Sequence, residues 1–220
     1  MSTPLSLYDL VEAFAQPGCP VCQLLQRDVR RFLGNLLYEG VSDPEAHASL
    51  QDSYGLCNVH AWQLRQVHEG QLLSIALFYR SAVTAALGRL EAGGSPRAEA
   101  LRPTAACPAC KALVDAEERY VGILAAHSTD DQLVQVYRNS DGLCLPHFRQ
   151  VLNRLGRPDS ARHLIALQRA IWERLLTDLQ TFIEMHDYRH TGERMAGERD
   201  SWLRAIRSLA GEEGIWGLDR

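Results

Sequence analysis

The chain contains one pair of cysteine motifs twice, and this repeat constrains its fold more than any other feature. A Cys-Pro-x-Cys motif at residues 19–22 is followed by Gly-Leu-Cys-x-x-His at 55–60, and both motifs return at 107–110 and 142–147. The offset between the copies is 88 residues for the first motif and 87 for the second. All six cysteines lie in these motifs. Each copy therefore holds three thiols and one imidazole, which is a complete first shell for a tetrahedral metal ion.

The similarity between the copies extends beyond the candidate ligands. On the first offset, Leu25 aligns with Leu113, and Arg31 aligns with Arg119. A one-residue deletion in the loop near Asp43 reconciles the two offsets. We interpret the chain as a tandem duplication followed by an unrepeated extension. The predicted divisions are a first metal-binding repeat at 1–93, a second at 97–185, and a C-terminal extension at 186–220 that packs on the repeats.

The periodicity of apolar residues predicts an all-α fold. After Cys22, apolar positions step by four, three and four residues, as on one face of an amphipathic helix, and after Cys110 they step by three, four and four. A long helix is predicted to close each copy, and no convincing strand alternation appears. The predicted apolar stripes of these closing helices are Leu73, Ala76, Val83, Leu87 and Leu90 in the first copy, and Leu164, Leu167, Ile171, Leu175 and Phe182 in the second.

The motif spacings predict one Cys₃His metal site per copy, at the N-termini of two helices. Residues three apart on the first turn of a helix share a face, and helix N-termini favour thiolates over thiols. We expect pairing within a copy, because duplication normally copies a self-sufficient unit. The swapped pairing, in which each Cys-Pro-x-Cys joins the other copy's Cys-x-x-His, stays open. The predicted ligands are Cys19, Cys22, Cys57 and His60 in the first copy, and Cys107, Cys110, Cys144 and His147 in the second.

Zinc, two ions per chain, is the predicted metal, because Cys₃His ligation with Cys-x-x-Cys spacing is typical of structural zinc. An iron–sulfur cluster with one histidine ligand is the alternative. A c-type haem is disfavoured, since histidine does not follow the second cysteine of either Cys-Pro-x-Cys motif directly. A thioredoxin-like dithiol is disfavoured as well, because the chain lacks the βαβ context of that site.

The C-terminal extension has no counterpart in the first copy. Polar residues crowd the span 186–194, and a solvated loop is the simpler interpretation. The alternative is that Arg189 and His190 line a groove between the copies and bind an anionic ligand, which would make the protein a ligand-binding protein or an enzyme. Because Trp202 and Trp216 seldom stay in solvent, we expect the extension to pack on the repeats.

Composition limits the partners. The formal net charge of −4 disfavours nucleic acid, which usually requires a basic excess. No secretory signal or membrane-spanning run is visible, so we expect a cytoplasmic protein with reduced thiols and no membrane partner. Four protein ligands per site leave no open coordination position, which argues against an enzyme. These observations predict a structural zinc protein that acts as an interaction or scaffold module for a protein partner. An iron–sulfur electron carrier or redox sensor is the alternative, and homo-oligomerisation stays open.

At these motifs the chain resembles a family of bacterial and archaeal proteins of similar length, a domain of unknown function. Its members have tandem Cys-Pro-x-Cys…Gly-Leu-Cys-x-x-His repeats, then an Asp-Tyr-Arg segment and a Trp-Leu-Arg-Ala segment. These segments stand here at residues 187–189 and 202–205. The resemblance covers nearly the whole chain, and it implies no particular activity.

Overall fold

The computed structural model describes residues 5–67, 70–91, 101–186 and 197–215, and these residues form an all-α protein without strands. Ten α-helices and a short 3-10 turn at Gly40–Ser42 make up the described part of the chain. The helices are α1 (Leu5–Ala13), α2 (Pro20–Tyr38), α3 (Pro44–Asp52), α4 (Asn58–Val67), α5 (Leu72–Glu91), α6 (Pro108–Ala126), α7 (Asp131–Arg138), α8 (Leu145–Arg154), α9 (Pro158–Met185) and α10 (Ser201–Ala210).

The chain divides into two compact units. The terminal unit comprises Met1–Leu25 and Glu117–Arg220, and the central unit comprises Gln26–Ala116. Each unit contains residues from both copies of the sequence, because α2 and α6 each begin in one unit and end in the other. The boundaries of the two sequence copies, 1–93 and 97–185, stay a prediction and are distinct from the boundaries of these structural units.

The duplication is visible in how the short helices begin. Asp43 caps α3 by accepting a hydrogen bond of 2.9 Å from the backbone nitrogen of Glu45. Asp130 caps α7 in the same way, accepting from Gln132 at 3.0 Å. A carboxylate at this position satisfies one of the unpaired amides of the first helical turn. The same local chemistry therefore starts α3 and α7, which occupy equivalent places in the two copies.

In the terminal unit, α1 packs against α7, and α10 packs against α8 and α9. Phe14, just after α1, packs against Tyr137 with ring centroids 5.2 Å apart. Trp172 of α9 donates a hydrogen bond of 2.7 Å to the hydroxyl of Ser208 in α10. Trp202 itself is 51% exposed. The described part of the extension thus packs through Ser201 and Ser208 of α10 rather than through this tryptophan. Trp216 lies outside the described residues.

In the central unit, α5 packs against α3 through a different face from the one that its spacing suggested. Phe78 and Ala82 are buried, and the ring of His47 in α3 lies 4.8 Å from the ring of Phe78. The first predicted stripe, which includes Leu73 and Leu90, is exposed to solvent, whereas Leu164 of the second stripe is buried. Because α5 is apolar on opposite sides, periodicity alone could not indicate which side would be covered. None of the described helices is both long and apolar enough to span a membrane.

Candidate metal centres

The structure gathers the eight predicted ligands into two Cys₃His clusters, but the pairing expected within each copy is wrong. Each cluster combines the Cys-Pro-x-Cys motif of one copy with the Cys-x-x-His motif of the other. Within each cluster, all four candidate ligand atoms lie within 4.8 Å of one another. The terminal cluster is Cys19, Cys22, Cys144 and His147, and the central cluster is Cys57, His60, Cys107 and Cys110.

Each motif places its two ligands on the first turn of a helix. The carbonyl of Cys19 accepts the first helical hydrogen bond of α2, from Gln23 at 3.1 Å. The carbonyls of Cys57, Cys107 and Cys144 do the same for α4, α6 and α8, at 2.9, 3.1 and 2.8 Å. The four amides of a first turn lack helical acceptors, and their partial positive charge favours a thiolate beside them. The terminal cluster joins the N-termini of α2 and α8, and the central cluster joins those of α4 and α6.

Hydrogen bonds donated by backbone amides join the segments that precede the motifs. In the terminal unit, the amide of Gly18 donates to Oδ2 of Asp141 at 2.7 Å, next to both cysteine motifs. In the central unit, the amides of Thr104 and Ala105 donate to the carbonyl of Asp52, at 2.9 and 3.2 Å. These hydrogen bonds join the two motif-bearing segments of each cluster and do not depend on a bound ion.

The distances in the terminal cluster match the edges of a tetrahedron around one ion. Nδ1 of His147 lies 3.5, 3.4 and 3.1 Å from the sulfurs of Cys19, Cys22 and Cys144. The sulfurs of Cys22 and Cys144 are 3.7 Å apart. Bonds of about 2.3 Å to sulfur and about 2.0 Å to nitrogen in a tetrahedral site imply edges of roughly 3.8 Å between sulfurs and roughly 3.5 Å between sulfur and nitrogen. The four side chains could therefore hold a single metal ion.

The central cluster has the same geometry. Nδ1 of His60 lies 3.2, 3.6 and 3.3 Å from the sulfurs of Cys57, Cys107 and Cys110. The sulfurs of Cys57 and Cys110 are 3.6 Å apart. The same imidazole nitrogen thus faces the sulfurs in both clusters, and the central residues could likewise hold a single metal ion.

Burial distinguishes the two clusters. All four residues of the terminal cluster are buried, whereas in the central cluster His60 is buried and the three cysteines are partly exposed. Helix α10 helps to cover the terminal cluster, since its residues Arg204 and Arg207 share a small void of about 10 Å³ with Cys19 and Cys144. The unrepeated extension thus encloses one of the two duplicated sites.

A buried carboxylate supports the histidine of the terminal cluster. Nε2 of His147 lies 3.1 Å from Oε1 of Glu117, which also accepts a hydrogen bond of 3.0 Å from Gln150. Both His147 and Glu117 are buried. A carboxylate on the outer nitrogen fixes the ring orientation and increases the basicity of a metal-binding imidazole. At the repeat offset of 88 residues, the first copy has Val29 in place of Glu117.

The glycine of each Gly-Leu-Cys motif lets the chain pass close to a long helix. Gly55 and Gly142 have φ of +91° and +72°. An added Cβ would lie 3.1 Å from the ring of Tyr79 at Gly55, and 2.8 Å from Oε1 of Gln168 at Gly142. Gln168 also accepts a hydrogen bond of 3.0 Å from the amide of Leu143. The backbone conformation favours glycine at both places, and at Gly142 the lack of space favours it as well.

Neighbouring groups shift the pKa values of the thiols in opposite directions. Hydrogen bonding to Cys144 and Cys19 raises the pKa of Cys22. Burial opposes ionisation of Cys19, but hydrogen bonds from Cys144 and Cys22 lower its pKa well below the usual value. Burial raises the pKa of Cys110 in the central cluster. Three adjacent thiols cannot all ionise without a counter-charge, and a divalent cation would displace the remaining protons.

Arg189 and His190, the predicted anion-binding residues, lie outside the described residues. The described part of the terminal unit does contain a cleft of about 730 Å³, lined in part by Phe14, Asp178 and Arg204. The guanidinium of Arg204 donates to Asp178 and to Asp200, both at 2.9 Å. The charges on these three residues are thus engaged with one another inside the cleft.

Sequence reasoning missed Glu117 and Gln168, which contact the terminal cluster and its loop. Both are polar residues on predicted helices, and neither stands at ligand spacing. A weak signal existed for Glu117, because it interrupts the apolar positions between Leu113 and Tyr120 on the buried side of α6. A carboxylate on a buried helix face usually has a polar partner.

The fold and the two clusters define an all-α protein with two Cys₃His groups that could hold metal ions. The chain belongs to DUF6062, a family of unknown function whose model matches residues 1–214, which confirms the resemblance indicated by the motifs. It is 24% identical over 206 residues to an "Uncharacterized 23.9 kDa protein in xynA 3'region" of Caldicellulosiruptor sp. (strain Rt8B.4). That match covers 93% of this chain and 100% of the relative. No solved structure matches.

Proposed function

We propose that this protein is a structural zinc protein that binds two zinc ions and presents a rigid helical surface to a protein partner. The observation that carries the zinc assignment is the tetrahedral spacing of both Cys₃His clusters. Sulfur and imidazole ligands in a tetrahedron are the preference of zinc. Each ion would hold the N-termini of two helices that are more than 30 residues apart in the chain.

A structural role is favoured over a catalytic one because every zinc coordination position is supplied by the protein. Catalytic zinc sites keep one position for water or substrate. In the terminal cluster all four ligands are also buried, which would keep solvent away from the ion. The contribution of such sites is folding free energy, since the ligands are not assembled in the unfolded chain. A reducing compartment such as the cytoplasm would keep the thiols available.

The spacing also bears on the iron–sulfur alternative. In a multi-iron cluster, ligand sulfurs bind different iron atoms and lie farther apart than ligands that share one ion. All four ligand atoms of each cluster lie within 4.8 Å here. This distance supports a single ion at each site.

Elemental analysis and absorption spectroscopy of anaerobically purified protein test the proposal. We expect two zinc ions per chain, no visible absorption, and loss of helical circular dichroism when a strong chelator removes the metal. Iron with acid-labile sulfide and a brown colour would contradict the zinc assignment. Metal-free protein that stays fully folded would contradict the structural role.

Exposed apolar side chains on helix α5 support the proposed binding of a protein partner. Leu73, Leu87 and Leu90 of α5 are 73%, 51% and 63% exposed. Contiguous exposed apolar residues commonly mark sites of protein association. A helical partner is the simplest match for an apolar face on a long helix.

A further inference from the structure

Helix α5 has an exposed apolar face with heptad spacing. The exposed positions recur at alternating intervals of three and four residues, the spacing of a two-helix seam. The buried residues Phe78 and Ala82 lie on another side of the same helix. We call the exposed set the α5 stripe: Leu73, Ala76, Arg80, Val83, Leu87 and Leu90.

Helix α9 is the counterpart of α5 in the second copy, so it provides an internal comparison. Counted from the first residue of each helix, Phe78 corresponds to Leu164, and Ala82 corresponds to Gln168. All four residues are buried. The two helices therefore turn equivalent sides toward the interior of their units, and their exposed sides can be compared position by position.

The side of α9 that corresponds to the α5 stripe is exposed too, but it is chiefly charged. Its residues form ion pairs along the helix, between Asp159 and Arg162 and, at 2.7 Å, between Arg169 and Glu173. Such pairs are typical of a solvated helix face. The corresponding positions are Asp159, Arg162, Ala166, Arg169, Glu173 and Leu176, and all six are exposed.

The difference between these faces indicates a partner for α5. The same face has four charged residues on α9 and only Arg80 on α5. A helix that is apolar on two sides usually has both of them covered. On α9, the equivalent face is exposed to water and carries charged side chains. The α5 stripe is apolar instead, so exposure to water alone does not explain its composition.

We propose that the α5 stripe binds α5 of a second copy of this chain, in an antiparallel two-helix seam. The proposal deepens the scaffold function above, because it names the surface and the partner. In an antiparallel seam centred between Arg80 and Val83, each side chain faces a side chain of the second copy that is suitable in size or charge. Leu73 faces Leu90 of the second copy, and Ala76 faces Leu87, so that a small residue accommodates a large one.

Charge selects the antiparallel direction. A parallel two-fold seam would place Arg80 directly opposite Arg80 of the second copy, and two like charges in a seam repel. In the antiparallel seam Arg80 faces Val83 instead. Its methylene stem can cover the valine while the guanidinium stays in water.

The area of the seam predicts a weak dimer. The α5 stripe spans 18 residues, or about 27 Å at 1.5 Å per residue, and a helix is roughly 10 Å wide. A standard stable interface buries roughly 800 Å² per partner, which exceeds what one helix face of this length offers. We therefore expect a concentration-dependent dimer with a Kd of about 1–100 µM.

Sedimentation equilibrium of the full-length, zinc-loaded protein tests the seam with matched variants. Leu90 and Leu176 occupy the same helix position and are similarly exposed, at 63% and 67%. We expect the wild-type mass to rise toward a dimer with concentration and Leu90→Glu to raise the Kd at least tenfold. Leu176→Glu on α9 should behave as wild type. A wild-type monomer at several hundred micromolar, or equal effects of the two variants, would overturn the proposal.

A third variant tests the direction of the seam. Val83→Glu places a carboxylate opposite Arg80 of the second copy only if the helices are antiparallel. This variant should dimerise at least as tightly as wild type at low salt and more weakly at high salt. Abolished dimerisation would overturn the antiparallel register. Zinc content and circular dichroism, measured on the same samples, separate the outcomes: a monomer with two zinc ions contradicts the seam, whereas absent zinc contradicts the zinc assignment.

Discussion

The terminal and central clusters present the same ligands at the same helix positions, but different surroundings. The terminal cluster is buried, lies beside α10, and has Glu117 behind its histidine. The central cluster leaves three cysteines partly exposed, and Val29 stands at the repeat position of the carboxylate. The two copies share the candidate ligands and differ in the residues around them. Equal coordination therefore does not imply equal metal affinity or exchange.

The swapped pairing makes the two copies depend on each other. Each cluster takes one motif from each copy, so removal of both motifs from one copy would leave both clusters with only two of their four residues. Pairing within a copy would instead leave one cluster complete. Glu117 and α10, by contrast, lie beside the terminal cluster.

The largest expected effect comes from paired cysteine substitutions that test which residues share an ion. Cys19→Ser with Cys144→Ser removes two ligands of the terminal cluster, so one zinc ion should remain. Cys19→Ser with Cys57→Ser removes one ligand from each cluster, so both zinc ions should be lost or strongly weakened. Zinc content per chain after gel filtration measures the difference.

Pairing within each copy predicts the reverse order for these two variants. Cys19 and Cys57 would then share one ion, and Cys19 and Cys144 would belong to two. Cys22→Ser with Cys144→Ser is a control that should match the first variant. If either terminal double variant retained less zinc than Cys19→Ser with Cys57→Ser, the pairing described here would be wrong.

A smaller effect is expected from the carboxylate behind His147. Glu117→Gln removes the negative charge that orients and strengthens the imidazole, and changes of this kind typically cost about 10–100-fold in metal affinity. Competition with a chromogenic chelator should show this loss at one of the two sites only. The exposed neighbour Glu118 supplies the control, and Glu118→Gln should leave both affinities unchanged. Equal weakening by both variants would remove the distinction between the sites.

The two ions should also leave at different rates. Because its cysteines are accessible, the central cluster should release zinc to excess chelator about tenfold faster than the terminal cluster, as a tenfold ratio needs only about 1.4 kcal/mol between the barriers. Stopped-flow absorbance should then show two phases of equal amplitude. Cys110→Ser, which disables the central cluster, should abolish the fast phase and keep the slow one. A single phase in the wild type would contradict the difference in accessibility.

The smallest difference is expected between the motif glycines. Alanine at either position places a side chain in a left-handed conformation, which costs about 1 kcal/mol. At Gly142 the new Cβ would also lie 2.8 Å from Gln168 and 2.9 Å from Ile171, whereas at Gly55 the nearest atom is 3.1 Å away on Tyr79. We expect Gly142→Ala to lose about 1 kcal/mol more of the free energy of unfolding than Gly55→Ala. Denaturant titration of the zinc-loaded variants measures this, and equal losses would indicate that the core around Gln168 adapts.

Much of the candidate site followed from local sequence patterns. The all-α fold and the two Cys₃His groups at helix N-termini were predicted and are confirmed, because residues within one motif are related by a single helical turn. Metal binding by the eight residues stays a prediction. Glu117 was not predicted, since it lies 30 residues from His147 and no short-range rule connects them. Helix α1 was also missed, although Leu7, Leu10 and Phe14 have helical spacing and are buried.

The sequence by itself determined which residues can bind a metal and where helices begin, because both depend on spacings of a few residues. Only the tertiary structure decided which motif meets which, because a duplicated pattern satisfies either pairing and the choice depends on how the helices pack. Packing likewise decided which side of α5 is covered and which cluster lies beside α10. Apolar periodicity describes a face, but long-range contacts determine whether that face becomes core or stays exposed.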